Sequence, residues 1–198
     1  MVYTNCMLVI NQESKEAFIV DPGDGATKKV VEAVKECECK PVAILLTHGH
    51  FDHIMSVDDI RDMYKIPVYL YEKEKALMED AKMNHSAKYG FAYATKADEF
   101  VVDGQQLNVA GIDIEVIHTP GHTSGSCCYY LPKEEVLLSG DTLFYGTVGR
   151  ADFETSDESD LRKSVKKLLS ELPDEVQVCP GHGKYTTVEF EKRYNPFA

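Results

Sequence analysis

Thr47-His48-Gly49-His50-Phe51-Asp52-His53 crowds three imidazoles and a carboxylate into seven residues. Neutral imidazole and carboxylate are the ligands of zinc and of borderline metals such as iron or manganese, and each metal takes three or four of them. The heptapeptide is therefore read as a metal-binding cluster, and its chemistry as hydrolysis. It cannot fill two coordination spheres alone. Three further candidates each stand beside a glycine, in a short polar loop behind an apolar stretch. They are His122 in Thr119-Pro120-Gly121-His122-Thr123, Asp141 closing Val136-Leu137-Leu138-Ser139-Gly140-Asp141, and His182 after Val178-Cys179-Pro180-Gly181. Glycine allows the close approach that a crowded metal loop demands. A lone histidine behind a strand is more often a hydrogen-bonded surface or core residue than a ligand, so it is the heptapeptide that promotes His122 and His182. His85 and His118 are left outside the set.

The elements that must position these groups follow from the apolar pattern. Val42-Ala43-Ile44-Leu45-Leu46 reads as a strand covered on both faces, delivering the cluster at its end. Alternation along an extended segment sends His48, His50 and Asp52 to one side, with His53 at the start of the next helix, so two ligand sets diverge and two metals are favoured over one. The alternating run Ile112 to Ile117 reads as a half-buried strand. Strands are expected near 2–10, 17–21, 42–46, 67–71, 112–118, 126–131, 135–139 and 176–179, and helices over 26–37, 54–64, 72–82, 158–170 and 187–194. Strand runs at both ends of the chain with helices between them predict an α/β fold of two stacked sheets flanked by helices.

With 198 residues, 43% of them hydrophobic, the chain suits one domain over 1–198 with a sizeable core. A formal charge of −12 repels polyanions and argues against a nucleic-acid partner. The densest basic run, Arg162-Lys163 with Lys166-Lys167, reads as the solvated face of a helix whose Leu161, Val165, Leu168 and Leu169 face inward. No stretch has the length of a membrane span, and Met1-Val2-Tyr3-Thr4-Asn5-Cys6 lacks the features of a secretory signal, so no membrane partner and a cytoplasmic location are expected. The six cysteines are read as reduced thiols rather than disulfides.

Several segments together resemble the metallo-β-lactamase superfamily of hydrolases: Val20-Asp21-Pro22-Gly23-Asp24, the heptapeptide, His118-Thr119-Pro120-Gly121-His122-Thr123, Ser139-Gly140-Asp141-Thr142-Leu143-Phe144, Gly149-Arg150-Ala151-Asp152-Phe153 and the His182 loop. The resemblance implies a four-layer αββα sandwich of two mixed β-sheets flanked by helices. It implies two divalent metal ions, zinc first with iron or manganese as alternatives. His48, His50 and His122 would hold the first metal, Asp52, His53 and His182 the second, and Asp141 would bridge them. The segments resemble most the glyoxalase II-like branch, which includes hydroxyacylglutathione hydrolases and persulfide dioxygenases. Under the dioxygenase reading, His48, His122 and Asp141 would hold a single iron. Fuller glyoxalase II enzymes carry a helical C-terminal region that contacts glutathione, whereas this sequence stops at Asn195-Pro196-Phe197-Ala198.

Water held between two cations becomes hydroxide near neutral pH, because metal lowers its pKa from about 16 to about 7. The nucleophile is then not a side chain, and Cys127 and Cys128 are not catalytic candidates. Asp141, as bridge, and Asp52, as a group able to shuttle a proton, are the catalytic carboxylates. A thiolate, with its conjugate acid near a pKa of about 8.5, leaves without a strong acid, which favours a small thioester or related ester as substrate. Asp21 and Asp24 are read either as groups orienting ligand imidazoles or, for Asp21, as fixing the Pro22-Gly23 turn. The aromatic segment 83–98 is read as a lid or as a dimer contact, with a homodimer among the expected partners beside the small-molecule substrate. Tyr89, Phe91 and Tyr93 are placed at an acyl pocket, and Arg150 on a substrate carboxylate.

Overall fold

The computed structural model describes residues 3–198. The first sheet runs in chain order: β1 (Met7–Ile10), β2 (Glu16–Val20), β3 (Lys40–Leu45), β4 (Val68–Tyr71) and β5 (Glu99–Val101). Only the β1/β2 pair is antiparallel; β2 to β5 are parallel. The second sheet is built from β6 (Gln106–Val109), β7 (Ile112–His118), β8 (Cys127–Leu131) and β9 (Val136–Gly140). A ribbon of β10 (Leu143–Phe144) and β11 (Thr147–Val148) then leads to β12 (Gln177–Pro180) and β13 (Thr186–Thr187), which complete that sheet in the order β13-β12-β9-β8-β7-β6. Its β12/β9 pair is parallel and the others antiparallel, so both sheets are mixed.

Alternation explains the layering. Phe18, Val20, Ala43 and Leu45 face Ile112, Ile114, Val116 and Tyr129 across the inter-sheet core, while the intervening Ile19, Ile44 and Leu46 pack outward under helices. Those helices are α1 (Ala26–Glu36), the single turn α2 (Phe51–Ile54), α3 (Val57–Tyr64) and the short α4 (Lys75–Met78). On the far side α5 (Glu158–Glu171) and α6 (Val188–Tyr194) cover the second sheet. In α5, Leu161, Val165, Leu168 and Leu169 are buried at helical spacing, and Asp157 caps the helix by accepting from the Asp160 amide at 2.9 Å. The order is αββα, as expected.

The differences in detail have local causes. The expected strand from residue 2 begins at Met7 instead, because the Asn5 amide is taken by the Gly181 carbonyl at 2.7 Å; residue 2 lies outside the described residues. The expected helix 54–64 is broken at Ser56, whose hydroxyl donates to the Gly23 carbonyl at 2.6 Å. The expected helix 72–82 is a 3₁₀ turn over Glu72–Glu74 followed by α4, which stops before Asp80 caps the next turn at the Lys82 amide. Strand β6 went unread because its hairpin to β7 turns on Ala110-Gly111, at φ 56° and 74°, rather than on the Asn-Gly that announces such a turn. Among the described residues no helix is long and apolar enough to cross a membrane, and all six cysteines are free thiols.

Candidate metal centre

The donors arrive on loops at one end of the two sheets: behind β3 for His48 and His50, behind β7 for His122, behind β9 for Asp141 and behind β12 for His182. Asp52 and His53 sit on the helical turn α2. This corrects the extended alternation expected for the heptapeptide, because the chain turns helical at Phe51 and so carries Asp52 away from His48 and His50 and onto His53 and His182. His48, His50 and His122 form one convergent group, and Asp52, His53 and His182 another. Asp141 stands between them, with Oδ2 3.5 Å from His122 Nε2 and 3.4 Å from His182 Nε2, and Oδ1 3.4 Å from His53 Nε2.

The outer nitrogens of four of the five rings are engaged. His53 Nδ1 lies 3.0 Å from Asp21 Oδ2, His122 Nδ1 donates to the Arg150 carbonyl at 2.8 Å, and His182 Nδ1 donates to the Tyr3 carbonyl at 2.8 Å. His48 Nδ1 lies 3.1 Å from Thr47 Oγ1, which itself donates to Asp21 Oδ2 at 2.7 Å. Each such contact fixes a ring and its tautomer, leaving Nε2 turned to the centre. Asp21 also accepts from the Thr47 amide at 2.8 Å, so it does orient ligand imidazoles. Asp24 is exposed and takes no part.

Ring nitrogens converge: His50 Nδ1 is 2.9 Å from His122 Nε2, and His53 Nε2 is 3.3 Å from His182 Nε2. His48 Nε2 and Asp141 Oδ1 are sealed from water with no hydrogen-bond partner. Such an arrangement is costly unless a cation is shared among the donors. The electrostatics divide the same way. Burial holds the His48, His50 and His122 imidazoles below the usual histidine range, in the neutral form that ligates metal. Burial would lower His53 too, but the Asp141, Asp52 and Asp21 carboxylates overcome it and hold that ring well above the usual range. Against burial, the same Asp141 and Asp52 push His182 up to about 10. Burial raises Asp52 and Asp141, but His53 and His182 more than offset it and hold both carboxyls low. The second group thus demands positive charge. The residues present fit divalent cations at both positions.

Close approach is built in by glycine. A Cβ at Gly181 would fall 2.4 Å from Asp141 Oδ1 and 2.7 Å from His53 Cε1, and one at Gly121 would fall 2.2 Å from the Leu161 backbone, at a φ of 138°.

A cavity of about 340 Å³ opens onto the donors, walled by Phe51, Tyr89, Phe144 and Phe153, with Lys88 and Arg150 at its rim. Of the sequence expectations here, Tyr89 lines the cavity. Phe91 packs behind the wall on Phe51, with ring centres 5.8 Å apart. Tyr93 is corrected: its hydroxyl donates to Asp58 Oδ2 at 3.0 Å and its ring packs under the helices of the first sheet. Arg150 spends its fork on Asp152, through two contacts of 2.6 Å, and lies over Phe153 rather than standing free for a carboxylate. His118 stacks on Tyr71, away from the centre. His85, set aside in the sequence, lines the cavity.

Glu74 was also missed, because Glu72-Lys73-Glu74-Lys75 reads as a solvated charge run. It is 0% exposed and accepts from the Gly49 amide and the Gly125 amide, each at 2.9 Å, tying the His48/His50 loop to the loop behind His122. Burial raises its carboxyl above the usual range, against hydrogen bonds from Gly49, Thr123 and Gly125 that favour the anion. In Glu74→Gln, one oxygen becomes an NH₂ facing an amide N–H. Urea unfolding is expected to show a loss of about 1–3 kcal/mol, the cost of one buried unsatisfied donor. An unchanged midpoint would show that the tie carries no load.

A family model of the metallo-beta-lactamase superfamily matches residues 1–182. The hydroxyacylglutathione hydrolase GloC of Haemophilus influenzae is 34% identical over 98% of this chain and 92% of its own length. Among solved structures, the BLEG-1 B3 metallo-beta-lactamase superposes with a TM-score of 0.92 at 41% identity, covering 98% of this chain and 93% of that one. TTHA1623 in a di-iron-bound form superposes at 0.86 with 36% identity, covering 98% and 95%. The chain belongs to the metallo-beta-lactamase superfamily, with that family's fold and a divalent-metal site of histidines and aspartates.

Proposed function

We propose that the protein is a dinuclear hydrolase of small thioesters, of the glyoxalase II-like branch. The observation that carries this reading is the convergence of seven histidine and aspartate donors, five of which, His50, Asp52, His122, Asp141 and His182, line an apolar cavity. Among the described residues lining that cavity there is no serine, threonine or cysteine to act as nucleophile. Bound divalent cations supply water activated near neutral pH and a Lewis acid for the carbonyl. The chain supplies the rest. Asp21, Thr47 and the Arg150 and Tyr3 carbonyls hold the imidazoles in their ligating tautomers. The aromatic walls offer an apolar seat for an acyl group, and Asp52 and Asp141 line the same cavity. A thiolate leaving group needs no strong acid. The likeness to GloC supports this substrate class. The same reading keeps zinc as the metal, a small molecule as the partner and the cytoplasm as the compartment.

The test is elemental analysis of protein purified without added metal, together with thiol release from hydroxyacyl-glutathione. Two metals per chain and thiol release are expected. Nitrocefin turnover as fast as thioester cleavage would move the protein to the β-lactamase activity for which BLEG-1 is named. One iron per chain, with O₂ uptake on glutathione persulfide and no thiol release, would replace hydrolysis by oxygenation.

A further inference from the structure

Four ligand imidazoles have their outer nitrogen held by a neighbour, and the fifth does not. His50 turns Nδ1 to His122 Nε2, 2.9 Å away. For a cation to take both lone pairs, the His50 proton must sit on Nε2. That Nε2 is sealed from water and has no partner among the described residues. A buried N–H donor left in this condition calls for a specific explanation.

The neighbouring ring is His85, 4% exposed, with its centre 5.1 Å from that of His50 and its plane inclined by 30°. Its Nδ1 is likewise sealed and unpartnered. Its Nε2 faces Glu154 Oε2 at 4.0 Å, a carboxylate that favours the proton on Nε2 and leaves Nδ1 a bare acceptor. One unpaired donor and one unpaired acceptor therefore stand on adjacent rings, near each other but not bonded in this structure. Phe153 covers both, with ring centres 5.1 Å from His50 and 4.2 Å from His85, so water does not compete for either nitrogen.

The backbone delivers His85 to this place. The Phe51 amide, next to His50, donates to the Asn84 carbonyl, next to His85, at 3.0 Å, which fixes the two segments in register. Asn84 is in turn anchored by its side-chain amide on the Tyr93 carbonyl at 2.8 Å. His85 itself takes a left-handed backbone, φ 70°, which side-chain-bearing residues other than Asn, Asp and His seldom adopt.

We infer that His85 is the positioning residue for His50: its Nδ1 accepts from His50 Nε2–H when the centre is loaded, completing the set of outer contacts that the other four ligand rings already have. The pairing concerns the metal centre alone and holds whatever the substrate, so it survives failure of the thioester reading.

Zinc titrated against a chromophoric chelator tests it, with no substrate present. His85→Phe fills the volume but offers no acceptor, and its zinc affinity is expected to fall about 10- to 100-fold, as for loss of other outer-shell partners. His85→Asn places an amide oxygen near the position of Nδ1 and tolerates the left-handed backbone, and it is expected to restore affinity. Affinity unchanged in His85→Phe, or no recovery in His85→Asn, would overturn the assignment. Long-range ¹H–¹⁵N spectra of the zinc-loaded wild type need no variant to fold. They are expected to show an Nε2-protonated His85 and a protected His50 Nε2–H. A His85 protonated on Nδ1 would refute the pairing outright.

Discussion

Asp141→Asn is expected to lower thioester kcat/KM by about 10³-fold, comparable to removing a preorganised charge-stabilising group from an active site. The reason is its position. One carboxylate stands 3.4–3.5 Å from ring nitrogens of both donor groups, and its Oδ1 has no hydrogen-bond partner among the described residues. Asparagine keeps the shape, removes the charge, and turns an NH₂ toward donors that need a cation. Elemental analysis beside the kinetics separates cause from effect: metal content should fall together with rate. A variant retaining both metals and wild-type turnover would end the two-metal account.

The second large effect concerns Asp21, which touches no cavity. Its carboxylate is 0% exposed and bonds His53 Nδ1, the Thr47 amide and the Thr47 hydroxyl at 2.7–3.0 Å. Asp21→Ala removes one of the three carboxylates that hold the buried His53 imidazole, the one bonded to its Nδ1, and leaves a buried amide unpaired. A loss of about 3–5 kcal/mol is expected in urea unfolding, the range for breaking a buried charged pair. Asp21→Asn keeps one acceptor and tolerates the local φ of 47°, so it should lose less stability while still lowering zinc affinity, because the lock on the His53 tautomer is weakened. Equal stability of all three proteins would show the clamp to be incidental.

Much of the centre was legible because its donors follow strands whose hydrophobic runs are unmistakable and stand beside glycines that only close approach explains. Gly181 against Asp141 and His53 is such a case. The layering was equally readable, since β2, β3 and β7 alternate between two cores. What escaped had physical reasons. Asp52 changes partners because Phe51 begins a helical turn that strict alternation does not foresee. Glu74 hides in a charge run whose neighbours are exposed, and only tertiary contact with Gly49 and Gly125 shows its burial. His85 lies in a segment without period, delivered by a left-handed backbone, so neither helical nor strand spacing marks it. Tyr93 lies in the same segment without period, and its direction is set by Asp58 of α3.

The two sheets are consecutive in the chain, one ending with β5 at Val101 and the other opening with β6 at Gln106. The donors divide at the same seam: His48, His50, Asp52 and His53 come before it, His122, Asp141 and His182 after it. Neither half owns a finished coordination shell. Each cation would rivet the earlier half of the polypeptide to the later one, so that loading the centre and holding the halves together become a single thermodynamic event.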